Sequence, residues 1–131
     1  MTNGDITAFT LDELKRRCFI GDSLGDVNVY NVLNGANIKP IAKHNAEINF
    51  ILQAPLREED GGEFGHVITC SIDGVIKITL DNDLSDSETM RTIEIDKSVI
   101  ISALQYDPIS KLIISGTQTG ALTFWEMDTG K

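Results

Sequence analysis

What most constrains this 131-residue chain is that it repeats itself. Residues 6–35 align with residues 101–130 without a gap, at an offset of 95. Ile6 falls on Ile101, Ala8 on Ala103, Asp12 on Asp107, Gly21 on Gly116, Gly25 on Gly120 and Gly35 on Gly130. Similar residues fill the register: Phe9 with Leu104, Arg16 with Lys111, Val27 with Leu122, Val29 with Phe124, Tyr30 with Trp125. A weaker middle copy lies between them. Gly74 stands for Gly25 and Gly120, and Ile76 and Ile78 stand for Val27 and Val29. Glycines kept in register mark backbone turns that need positive φ or leave no room for a Cβ. A unit of about 47 residues cannot bury its own faces and must stack on its neighbours.

Each copy is written in short β-branched runs between turn signals. They include Cys18-Phe19-Ile20, Val27-Asn28-Val29-Tyr30, Val67-Ile68-Thr69-Cys70, Val75-Ile76-Lys77-Ile78, Thr92-Ile93-Glu94-Ile95, Leu112-Ile113-Ile114 and Leu122-Thr123-Phe124-Trp125. Alternation at Val27/Val29, Ile76/Ile78, Ile93/Ile95 and Leu122/Phe124 predicts half-buried strands. Asp73-Gly74 between two runs predicts a tight hairpin. Residues 11–17 alone have helix-forming composition, over too short a stretch to hold a helix. The reading is an all-β chain of antiparallel strands. Copy one predicts strands at 6–11, 17–21, 26–31 and 36–41. Copy two predicts 47–52, 65–70, 75–80 and 90–95. Copy three predicts 99–106, 112–115 and 121–126.

The last copy, from Ile101 through Tyr106-Asp107-Pro108, Ser115-Gly116 and Trp125-Glu126 to Gly130, resembles a WD (Trp-Asp) repeat, the four-stranded blade of a β-propeller. The resemblance covers almost the whole chain. It implies repeat one at about 6–41, repeat two at about 47–95 and repeat three at about 99–131, the last strand of the third missing. Residues 1–131 then form an incomplete propeller of about 2.7 blades, whereas propellers close with four to eight. The expectation is a fragment of a longer protein or a piece completed by another subunit. The family's tetrad of Asp, His, Ser or Thr, and Trp is scattered here. His44 precedes a first strand, and Asp73 sits in the second copy's turn, but Thr79 stands where Trp would. The third copy has Ser115 and Trp125 with Lys97 and Ser98 near where His would fall. The dipeptide is Tyr30-Asn31 in copy one and Thr79-Leu80 in copy two. No copy holds the full set, which puts the network in question. His44 reads as a structural loop residue. Gly21, Gly25, Tyr30, His44, Asp73, Gly74, Gly116, Gly120 and Trp125 are the structural repeat positions.

Charge enters through its placement. The formal net charge is −9, from 20 acidic and 11 basic residues. Residues 57–63 hold Glu58, Glu59, Asp60 and Glu63 against Arg57, and residues 81–88 hold Asp81, Asp83, Asp86 and Glu88 with no base. The rest of the chain carries 12 acids and 10 bases, so seven of the nine net charges sit in two loop-like segments. Solvated loops are the plain reading. In a meander, first-to-second and third-to-fourth connections leave one end of the sheet, so both segments are expected to project together. That acidic face suits a basic protein partner. Acidity also argues against nucleic acid, which requires basic charge. No apolar run reaches about 18 residues, so no membrane span is expected, and residues 1–5 lack a signal peptide's pattern.

Other motifs invite chemical readings. Gly21-Asp22-Ser23-Leu24-Gly25 matches Gly-x-Ser-x-Gly, the elbow that exposes a nucleophilic serine, and resembles the opening block of the GDSL esterase/lipase family. A strand follows it where a helix is needed. The family's Asp-x-x-His is missing, since Ile41 precedes His44 and Glu63 precedes His66 by three. The segment also aligns with Gly116-Thr117-Gln118-Thr119-Gly120, so a turn explains it. Asp81-x-Asp83-x-Ser85 begins like a calcium loop, but position six is Asp86 and position twelve Thr92. Ser85 and Ser87, flanked by acids, match acidophilic kinase sites. Cys18, Cys70, His44 and His66 lack zinc spacing. Two cysteines in apolar runs read as free thiols in a reducing, intracellular setting.

The resemblance implies a non-catalytic scaffold binding other proteins, with no cofactor, metal or small-molecule substrate expected. A small serine esterase using Ser23 is the alternative, and a closed small-ligand barrel a third reading. Lys15-Arg16-Arg17 with Gly21-Asp22 and Tyr30-Asn31 resembles the divergent repeats of large ciliary proteins. A cytoplasmic, ciliary or cytoskeletal place is therefore expected.

Overall fold

The computed structural model describes residues 4–12, 17–54, 66–80, 88–94 and 100–126. Among them lie eleven strands and no helix. They are β1 (Ile6–Asp12), β2 (Arg17–Asp22), β3 (Asp26–Asn31), β4 (Asn37–Lys43), β5 (Ile48–Ala54), β6 (His66–Ser71), β7 (Val75–Leu80), β8 (Glu88–Glu94), β9 (Ile101–Asp107), β10 (Leu112–Thr117) and β11 (Leu122–Glu126). Three antiparallel sheets result, β1-β2-β3-β4, β5-β6-β7-β8 and β9-β10-β11, each a meander in chain order.

The repeated glycines explain why the second and third strands of each sheet turn alike. Gly25, Gly74 and Gly120 have φ of +94°, +81° and +89°. Their amides donate to the carbonyls of Asp22, Ser71 and Thr117 at 3.2, 3.1 and 3.1 Å. A left-handed third loop residue closes such a hairpin, and glycine adopts that φ without a Cβ clash. The first strands share an irregularity. Ile6, Ile48 and Ile101 pair with Asp22, Ser71 and Thr117, and the register slips immediately after each.

Two apolar clusters hold the sheets face to face. Phe19, Val27, Val29 and Ile41 of the first sheet pack on Ile48, Ile51 and Val67 of the second. Ile68, Cys70, Ile76, Ile78 and Ile93 of the second pack on Ile101, Leu104 and Ile113 of the third. The second sheet is covered on both faces. The asparagine at the β5 slip, Asn49, donates through Nδ2 to the carbonyl of Ile101 at 3.2 Å, tying the second sheet to the third.

Strand ends match the sequence expectation or depart from it by one or two residues. Leu11 and Asp12, in the stretch of helix-forming composition, finish β1. Glu88, expected in the acidic loop, begins β8 and pairs with Leu80, because ladder bonding with β7 extends past the last apolar residue.

Candidate functional site

Among the described residues, a buried polar cluster lies where the chain passes from β4 to β5. His44 is buried there. Its Nδ1 lies 3.1 Å from Ser71 Oγ and its Nε2 2.7 Å from Thr69 Oγ1. Ser71 Oγ in turn hydrogen-bonds the Asp73 carboxylate in the β6–β7 turn. Alternation along β6 presents Thr69 and Ser71 to one face, toward the first sheet and its exit connection. His44 N–H donates to the Gly25 carbonyl at 2.8 Å, and Lys77 Nζ reaches the Lys43 carbonyl at 2.5 Å. The imidazole thus fastens one sheet's connection to the next sheet's hairpin.

Electrostatics keep that imidazole neutral. Burial first, and Lys77 after it, bring its pKa down to about 4, with Asp73 opposing them. A neutral ring donates from one nitrogen and accepts at the other, which the two hydroxyls satisfy. Ser71 and Thr69 are themselves fully buried, while Asp73 in the turn is half-buried.

The third sheet has the other half of such a network. Trp125 Nε1 donates to Ser115 Oγ at 3.1 Å. In register, Ser115 corresponds to Thr69 and Trp125 to Thr79. Thr79 is fully buried, and its hydroxyl finds no hydrogen-bond partner among the described residues. The network doubted from sequence therefore forms in the second sheet with three polar side chains around His44 and stops where tryptophan is absent. Ser71 and Thr69 escaped the sequence reading. The available signal was a pair of hydroxyls two positions apart, Thr69 and Ser71, in a largely apolar strand.

The other expected positions sort by location. Tyr30 is buried at the end of β3, and Gly21 lies beneath Ile48. Gly116 is open on the third sheet's outer face. Ser23 lies in the β2–β3 hairpin, where its Oγ accepts the Asp5 amide at 3.0 Å, and strand β3 follows rather than a helix. Both ring nitrogens of His44 are engaged by Thr69 and Ser71 rather than Ser23. Burial pushes the Cys70 thiol up to about 12, helped by Asp73, and also raises that of Cys18; both are free. Among the described residues, no three His, Cys, Asp or Glu side chains gather as a metal site needs. No helix among them is long and apolar enough to cross a membrane.

Glu58, Glu59, Asp60, Glu63, Asp81, Asp83 and Asp86, the calcium-like segment at 81–86, Ser85 and Ser87 lie outside the described residues, as do Lys97 and Ser98. The strand ends that bracket the two acidic segments are described. Ala54 pairs with His66, His66 with Leu80, and Leu80 with Glu88, all at one end of the second sheet.

No protein-family model matches the chain. Across all 131 residues it is 47% identical to cilia- and flagella-associated protein 337 B of Tetrahymena thermophila, of which it spans 10%. The β-propeller domain of Cps50 (Swd1) from Myceliophteria thermophila superposes with a TM-score of 0.77 over 96% of this chain and 39% of that one, at 13% identity. The fold is therefore that of a partial β-propeller, and its three sheets are blades.

Proposed function

We propose that the chain is a non-catalytic protein-interaction scaffold, a WD-repeat propeller segment that works within a larger protein or assembly. The repeat boundaries are those read from sequence, about 6–41, 47–95 and 99–131. The observation that carries this reading is the covering of only the middle blade on both faces, with the buried His44 cluster joining the first blade to it. Fold alone does not assign function, so the partner-facing site is argued from charge. The two acidic segments leave one end of the second blade, and Glu58, Glu59, Asp60, Glu63, Asp81, Asp83, Asp86 and Glu88 form a patch for a basic protein surface. Likeness to a cilia- and flagella-associated protein supports a ciliary setting.

Neutralising Glu58, Glu59, Asp60, Asp81, Asp83 and Asp86 to Gln or Asn tests this reading. Pull-downs from extracts of isolated cilia should lose basic proteins in the variant, and capture by the unaltered chain should fall with salt. Equal capture by both at all salt concentrations would contradict the acidic site.

A further inference from the structure

Two dipeptides among the described residues let a main chain attack its own side chain, Asn34-Gly35 and Asp73-Gly74. A five-membered imide forms when the amide nitrogen of the following residue reaches the side-chain carbonyl carbon. Glycine leaves that approach open, since it brings no side chain to it. The fold treats the two dipeptides oppositely.

Asp73-Gly74 is closed off. The Asp73 carboxylate accepts the Ser71 hydroxyl, and Gly74 is buried with its amide donating to the Ser71 carbonyl at 3.1 Å. Asn34-Gly35 lies exposed in the connection from β3 to β4, which the Asn31 amide closes on the Ala36 carbonyl at 2.8 Å. Asn34 Oδ1 accepts the Ala36 amide at 2.9 Å, which draws electron density from Cγ. Its Nδ2 has no hydrogen-bond partner among the described residues and is free to leave. Gly35 has a φ of +72°, and a Cβ there would meet nothing within 4 Å. One restraint opposes the attack: the Gly35 amide donates to the Asn31 carbonyl at 2.8 Å. In an exposed turn that bond breaks by local opening, and one net backbone hydrogen bond slows the step by about tenfold at most.

We propose that Asn34 is a site of spontaneous deamidation in the folded chain. The Gly35 nitrogen loses its proton to solvent base and bonds to Asn34 Cγ. The Cγ–Nδ2 bond breaks, and Nδ2 takes a proton from water and departs as ammonia. Water then opens the imide at either carbonyl. One opening leaves aspartate; the other leaves isoaspartate, with the main chain routed through Cγ. Both products place a carboxylate in the turn. Isoaspartate also lengthens the main chain by a methylene beside the Tyr30–Asn37 pair that begins the β3–β4 ladder. Its carboxylate is the group that an isoaspartyl methyltransferase esterifies with the methyl of S-adenosylmethionine.

Mass-spectrometric peptide mapping tests this on the 131-residue chain at mildly alkaline pH, folded and in urea, and separates Asn34 from the Asn3-Gly4 pair. Conversion at Asn34 in the folded chain should run within about tenfold of its rate in urea and rise with pH. Isoaspartyl methyltransferase and labelled S-adenosylmethionine should mark the peptide that holds residue 34. Gly35→Ala, strained but unobstructed, should slow conversion severalfold, and Asn34→Gln should remove the label from that peptide, with the far-UV circular dichroism unchanged in both. An Asn34 that converts in urea and stays intact in the folded chain overturns the proposal. So does Gly35→Ala converting as fast as the unaltered chain.

Discussion

At the scale of the residue, His44 stands out because its two ring nitrogens engage two buried hydroxyls, Ser71 and Thr69. Replacing it with alanine takes the imidazole from the buried Thr69 hydroxyl, leaves Ser71 with Asp73 as its partner, and opens a cavity. An orphaned hydroxyl costs about 1–3 kcal/mol, so His44→Ala should lower unfolding free energy by about 2 kcal/mol or more in urea titration. Acid should act through the same group. Its unfolded pKa is near 6.5 and its folded pKa about 4. Between those values the unfolded chain binds the proton and the folded chain does not, so stability falls as pH drops through that window. The loss attributable to this ring between pH 7 and pH 5 is about 2 kcal/mol. Urea titrations at both pH values should show that extra slope in the unaltered chain and not in His44→Ala. His44 and Asp73 were legible in the sequence from their places before a strand and in a turn. Ser71 and Thr69 were not, because a buried serine or threonine in a strand looks the same whether bonded to its own backbone or to a histidine far along the chain.

At the scale of elements, the β2–β3 and β10–β11 hairpins make a matched pair. Both put glycine at a φ near +90° in the same loop position. Alanine at either site carries the left-handed strain, about 1–2 kcal/mol. At Gly25 it also meets the His44 and Ala46 carbonyls, whereas at Gly120 it meets nothing. Gly25→Ala should therefore lower Tm markedly more than Gly120→Ala by differential scanning calorimetry; equal losses would mean the packing around Gly25 is wrong. All eleven strands were legible from period-two alternation and turn glycines. Their ends were less so, since backbone pairing carried β8 back to the polar Glu88. The shared slip after Ile6, Ile48 and Ile101 falls on Thr7, Asn49 and Ser102, uncharged polar residues that in sequence look like ordinary outward-facing strand positions.

For the whole molecule, the repeat gave the stacking and the count of strands, and with them the open faces. Sequence alone could not say which apolar residues would be covered. Val29 and Phe124 are equivalent in register, yet one is fully buried and the other exposed, solely because a blade lies over the first. The two acidic segments remain separate from this apolar logic and belong to the proposed partner surface. Stability in such an array is a sum over blades and their neighbour contacts, so protection should follow coverage. Native-state hydrogen exchange on the dilute, monomeric chain tests this most directly. The account predicts the slowest amides in β6 and β7, around Ile68, Cys70, Ile76 and Ile78, with ladder amides of the first and third blades exchanging earlier. Protection in the ladders joining β1 to β2 and β10 to β11 equal to that of the middle blade would contradict it.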